Sequence, residues 1–268
     1  MNGETVEPVN ILVSREELLF VLKALGADFI PGLEAAALAE LPAEQQTLAL
    51  AVAERALRAR DLVRGLAGRD AEIHTALLTM VGVCAYAHHV VFAYHWPANA
   101  SAPRQYFGHI RGDDIVAHTR PNDGLHLFSL LPDKSYLSDQ ILAFCQWADA
   151  PATAAVELAV SSATFATARE LAGAGQLEPA RQTLTGSGVA AAAASALVDT
   201  LASLARISIL QTVKQPGGGG IQKHDITLLQ DGQRAWLVIA PEDGAAETRL
   251  RIKTANRAEV RELLETCL

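Results

Sequence analysis

One order of predicted elements occurs twice along this chain: helices, a strand, a hairpin, a further strand and a closing helix. In the first half, Arg15–Leu25 reads as an amphipathic helix, with Ser14 as N-cap and Glu17 completing a capping box. Helices follow over Pro42–Arg64 and Glu72–Ala87, then a strand over His89–Trp96. Tyr106–Arg111 and Ile115–Arg120 form a hairpin about Gly112-Asp113, Leu125–Leu130 a strand, and a helix capped by Ser135 runs to Ala148. The second half repeats this with helices over Ala152–Leu171, Leu177–Leu184 and Val189–Leu204 and a strand over Ile207–Lys214. A hairpin of Gln222–Leu229 and Arg234–Ala240, a strand over Thr248–Thr254 and a helix over Arg257–Thr266 complete it.

Individual residues recur as well. Gly112 matches Gly232, Pro121 matches Pro241, and Asp123-Gly124 matches Asp243-Gly244, all at one offset. Ile141, Leu142 and Cys145 match Leu263, Leu264 and Cys267, and in the long helices Leu50-Ala51-Val52 is matched with Leu158-Ala159-Val160 and Gly65 with Gly173. Turn residues recur where the backbone must reverse in the same way, and apolar positions recur where helices cover the same kind of face. The expected fold is therefore α/β (α+β) in two repeated halves, 1–150 and 151–268, each a helical bundle, an antiparallel β-meander and a C-terminal helix. The halves are expected to be related by a pseudo-twofold and to share one central sheet, as a single integrated unit. Arg234–Ala240 is apolar on both faces and reads as a central strand. Thr248–Thr254 sets Arg249, Arg251 and Lys253 on one face against Leu250 and Ile252, and reads as a half-exposed strand, an edge protected by charge.

The layout resembles the EspG family, cytosolic chaperone-adaptors of mycobacterial type VII secretion. At residue level the resemblance lies in Glu17–Leu25, in Ile30-Pro31-Gly32 and in Ala53–Leu66 (AERALRARDLVRGL). It implies two related α/β halves and a non-enzymatic protein that binds a secreted helical partner. No residue matches a substrate-contact motif closely enough for a site to be transferred.

Composition narrows the function classes. Of 268 residues, 22 are basic and 30 acidic, a net charge of -8, which opposes nucleic-acid and anionic-membrane binding. Half the chain is hydrophobic but only 5% is aromatic, and the excess is alanine, which favours close-packed helices. The acidic N-terminus has no apolar core of a signal peptide, no segment reads as a membrane span, and three isolated cysteines, Cys84, Cys145 and Cys267, fit a reducing compartment. A cytoplasmic location is expected.

Six of the eight histidines lie between His88 and His126. By strand parity His89 and His95 share a face, and His109 lies with Arg111. A metal or small-ligand site in this histidine-rich sheet is an alternative function, but carboxylates are sparse there and the bland reading is polar residues on an outer face. A second alternative is a winged-helix-like DNA reader using Arg55, Arg58, Arg60, Arg64 and Arg69, against which Glu54, Asp61 and Asp70 argue for an ion-paired, solvated face. Thr185-Gly186-Ser187-Gly188 fits a helix cap better than a nucleophile elbow, and Gly217–Gly220 fits a loop better than a phosphate cradle. No catalytic residue, metal or cofactor is expected. The candidate partner-binding residues are Arg249, Arg251, Lys253, His89, His95 and His109, facing a helical protein.

Overall fold

The computed structural model describes residues 9–33, 42–65, 72–98, 100–148, 155–215, 220–241 and 249–268. The fold is mixed α/β, with eight helices and a large antiparallel sheet among these residues. The chain divides into two compact units, one of residues 1–90 with 106–137, the other of 91–105 with 138–268.

The first unit opens on strand β1 (Asn10–Ser14) and helix α1 (Arg15–Leu25). Their junction is the expected capping box: Ser14 Oγ accepts from the Glu17 N–H while Glu17 Oε2 accepts from the Ser14 N–H at 2.7 Å. Gly26 ends the helix in the left-handed region, at φ 66°. Helix α2 (Ala43–Ala59) is shorter than its sequence pattern: Val63–Arg64 leaves the helix as strand β2, paired with β3 (Glu72–Ile73). Helix α3 (Thr75–Ala85) follows, capped by the His74 ring, which accepts from the Ala76 N–H.

Strand β4 (His89–Trp96) occupies the expected span, and β5 (Arg104–Arg111), β6 (Asp114–Thr119) and β7 (Leu125–Leu131) follow. In the first unit the strand order is β1-β7-β6-β5, all antiparallel. The sequence pattern missed β1, which pairs Leu12 with Leu127 along one flank of β7. Ile11, Val13, Val116 and Phe128 point from the sheet into a core closed by Leu18, Val21 and Leu22 of α1 and by Leu77, Met80, Val81 and Cys84 of α3. Helix α4 (Lys134–Phe144) ends earlier than expected, and its first turn is held by Asp133, whose carboxylate accepts from the Tyr136 N–H at 2.7 Å.

The second unit begins with a larger correction. Ala152–Leu171 reads as helix in the sequence, yet Glu157–Ser161 is strand β8, and helix α5 (Ser162–Gly173) starts only at the Ser161 cap. Alternating burial and a ladder to a neighbouring strand override helix propensity here. Helices α6 (Leu177–Gly186) and α7 (Ala191–Ala202) precede strands β9 (Arg206–Lys214), β10 (Gln222–Gln230), β11 (Ala235–Ile239) and β12 (Arg249–Thr254), and helix α8 (Arg257–Cys267) closes the chain.

The strand order in this unit is β4-β9-β10-β11-β12-β8. Strand β11 is central and buried, as its two apolar faces required. Strand β12 is not an edge, because it pairs with β11 on one side and β8 on the other. Trp236, Val238, Leu229, Ile252, Leu158 and Val160 face the helices α5 and α7, against Phe165, Ala168, Leu197 and Val198. The small residues Ala168, Ala172, Ala180 and Ala194 let these helices approach one another and the sheet closely.

The turn glycines Gly112 and Gly232 both take positive φ, 61° and 91°. The matching of Leu50-Ala51-Val52 with Leu158-Ala159-Val160 fails, since the first triplet is helical and the second extended. Asp243-Gly244 and residues 217–219 of the loop expected over Gly217–Gly220 lie outside the described residues.

Candidate functional site

The three basic residues of β12 share one face of the sheet, opposite the apolar Leu250 and Ile252, as strand parity required. Cross-strand register places Arg249 beside Ser161, Arg251 beside Ala159 and Lys253 beside Glu157. Each is engaged. Arg251 Nε donates to Glu157 Oε1 at 2.5 Å, Lys253 Nζ lies 3.8 Å from Glu259 on α8, and Arg249 Nη2 donates to the Ala159 carbonyl at 3.2 Å. The Arg251 hydrogen bond, with the charges of Arg251 and Lys253, holds the Glu157 carboxyl below its ordinary pKa. Arg249 and Arg251 are exposed, so the row presents positive charge to solvent next to the flanking strand β8.

The histidines lie elsewhere. His89, His95 and His109 are at most 1% exposed, so the outer-face reading is overturned. Register shows the cause. His109 opposes Val116, His118 opposes Phe128, and His126 opposes Val13. Directly opposed residues share a face, so these three rings lie on the side of the sheet that α1 and α3 cover. His118 Nε2 and His126 Nδ1 are 3.0 Å apart, and the His118 ring stacks on Phe128 at 4.6 Å.

Burial pushes the His109 pKa down to about 3 and that of His118 well below its ordinary value, His118 also feeling His109, His126 and Arg120. His126 is lowered to about 4 by burial and by the charges of Arg120 and Arg15, against which Glu16 acts. In the second unit His95 Nδ1 meets Ser208 Oγ at 2.8 Å, and burial with Arg104 and Arg206 lowers its pKa. Burial favours the neutral form of all four rings. Among the described residues no group of three or more His, Cys, Asp or Glu could hold a metal ion.

The remaining candidates resolve into structural roles. Arg58 pairs with Glu54 at 2.6 Å and donates to the Gly65 carbonyl; Arg60, which lies beyond the end of α2, pairs with Glu17 at 2.5 Å and donates to the Leu12 carbonyl at 2.7 Å; Arg55 donates to the Ala51 carbonyl. Arg69 lies outside the described residues. Cys84 and Cys145 are buried, which raises the first thiol's pKa well above the ordinary value and the second to about 12. Ser187 follows α6 and donates to the Leu184 carbonyl, closing the helix.

Two surface cavities were not read from the sequence. One, in the first unit, opens between α1, residues 28–33 and the β6–β7 turn, and is lined by Arg15, Leu18, Leu19, Leu22, Arg120 and His126 among others. The other, in the second unit, lies where Trp96, Pro97 and Ala98 meet Leu204, Ile207 and Ile209. Their residues come from separate stretches of chain, so no local motif marked them.

The fold is similar to that of a type VII secretion chaperone. A similar solved structure is that of EspG5 from Mycobacterium tuberculosis, described in complex with a PE25-PPE41 dimer. It is 16% identical in sequence, the match covers 97% of this chain and 95% of that one, and the TM-score is 0.69. At this identity the likeness is one of fold. No protein-family model matches the chain, and no curated protein matches it. No helix among the described residues is long and apolar enough to cross a membrane.

Proposed function

We propose that this protein is a non-enzymatic, cytoplasmic adaptor of chaperone type that binds a helical protein partner. The observation that carries the reading is the likeness of fold, over almost the whole of both chains, to a secretion chaperone described in complex with other proteins. We also infer that residues 1–150 and 151–268 are duplicated halves. The order of strand, helices, four strands and helix, interrupted in the first half by the short pair β2–β3, supports this, as do the serine caps Ser14 and Ser161 at the two strand-to-helix junctions.

The basic row Arg249, Arg251 and Lys253 is the proposed contact surface, and charge complementarity makes an acidic helix its counterpart. His89, His95 and His109 contribute through the stability of the interior rather than by contact. The test is co-expression of the full chain with small helical proteins encoded beside its gene, followed by size exclusion and titration of any complex. A defined complex weakened roughly tenfold or more by Arg249→Glu with Arg251→Glu supports the reading. A complex insensitive to that charge reversal removes the contact surface, and a residue-dependent enzymatic turnover by the purified chain removes the adaptor role.

A further inference from the structure

The first unit's cavity has a built polar end over an apolar floor, and its volume is about 300 Å³, at the small end of ligand-binding pockets. Leu18, Leu19, Leu22 and Ile30 supply the floor. The polar end is Arg15, Arg120 and His126. Neither guanidinium has an ion-pair or hydrogen-bond partner among the described residues.

His126 is 6% exposed, and its one hydrogen bond among those residues runs through Nδ1 to His118 Nε2. Which nitrogen carries the proton follows from the buried partner. His118 Nδ1 has nothing to bond to, and a stranded acceptor costs less than a stranded N–H. His118 therefore keeps its proton on Nε2 and donates to His126 Nδ1. That leaves the His126 proton on Nε2, the nitrogen with no protein partner, on a ring that lines the cavity. Two guanidinium groups and an imidazole N–H thus supply donors to one cavity.

We propose that this cavity binds an aliphatic group ending in a single carboxylate, its chain on Leu18, Leu19, Leu22 and Ile30 and its head among Arg15, Arg120 and the His126 N–H. Asp28 and Asp123 are also in the lining, both exposed, and Glu16 lies close enough to act on His126. These carboxylates repel a second negative charge, so a dianion such as phosphate is disfavoured while one carboxylate is accommodated. The site lies in the first unit, apart from the β12 surface, and stands or falls independently of the adaptor reading.

The test is calorimetric titration of the full chain with octanoate, 1-octanol and inorganic phosphate at neutral pH. Octanoate is expected to bind roughly ten- to a hundredfold more tightly than octanol, since charge-assisted hydrogen bonds separate them, and phosphate is expected not to bind. Arg120→Gln, at an exposed position, should remove most of that preference by weakening octanoate far more than octanol. The ¹⁵N resonance of His126 Nε2 should move on addition of octanoate.

A peptide ending in Leu-Leu with a free carboxylate, compared with its amide, separates the sources: binding by that acid alone assigns the head to a chain terminus, and binding by octanoate alone assigns it to a free acid. If neither acid binds at millimolar concentration, if octanol binds as tightly as octanoate, or if Arg120→Gln leaves the ratio unchanged, the proposal is wrong.

Discussion

Thr200 is fully buried on α7 and joins two groups that have no easy substitute for it. Its hydroxyl donates to Asp231 Oδ2 at 2.6 Å and accepts from the Trp236 indole N–H at 3.0 Å. Asp231 then uses Oδ1 to hold the Gln233 and Arg234 N–H groups at 2.7 and 2.6 Å, which shapes the β10–β11 turn. Thr200→Val keeps the shape and removes both bonds. The indole N–H of Trp236, at 0% exposure, is stranded, a cost of about 1–3 kcal/mol, while the half-exposed Asp231 can turn to water and loses less. The expected destabilisation is about 2–3 kcal/mol, read as a lowered urea midpoint with an unchanged slope.

A double-mutant cycle isolates the cause. With Trp236→Phe there is no N–H to strand, so Thr200→Val should cost about 1–2 kcal/mol less in that background. A pH series adds a second check. Burial acts to raise the Asp231 pKa, but the Thr200 hydroxyl, the Arg234 and Gln233 N–H groups and the Arg234 charge outweigh it and hold it below 3.8. A carboxyl with a depressed folded pKa stabilises above its unfolded value and loses that contribution as pH falls through the folded one. The gap between wild type and Thr200→Val should therefore narrow in strong acid. A cost below about 0.5 kcal/mol, or a cycle with no coupling, would refute the account.

Acid should also act on the first unit through its buried rings. His109 and His118 have folded pKa values far below the ordinary 6.5, so the unfolded chain binds more protons. Their contribution is full above about pH 6.5 and declines by about 1.4 kcal/mol per pH unit for each ring as pH falls toward the folded pKa. A flat stability profile between pH 6.5 and 4.5 would contradict this. The flanking strand β1 offers a separate test, since Arg60 covers the Leu12 carbonyl and pairs with the buried Glu17. Arg60→Ala should cost about 1–2 kcal/mol and expose a strand edge, so that light scattering shows more self-association than in the wild type; a variant of equal stability and equal association would show that Arg60 protects nothing.

Much of the fold was determined by the sequence alone. Local chemistry sufficed where the signal was local: the capping box of Ser14 and Glu17, the alternation of 89–96, the positive-φ turn at Gly112, the two-faced apolar run at 235–239. These depend on interactions within a few residues, and no distant partner could reverse them. What only tertiary structure decided was everything set by pairing across the chain. Strands β1 and β8 were invisible because a five-residue strand is specified by the ladder it joins, and 157–161 ran straight into a helix-like stretch. The β12 strand looked like an edge until β8 lay beside it.

The histidines looked like surface residues because a polar ring is read as exposed until register sets it beneath helices. The candidate sites divided in the same way. The basic face of β12 followed from a period of two and was found, whereas Arg15, Arg120 and His126 line one cavity only because a helix N-terminus folds against a turn and a strand more than 100 positions further along the chain, over a common apolar floor.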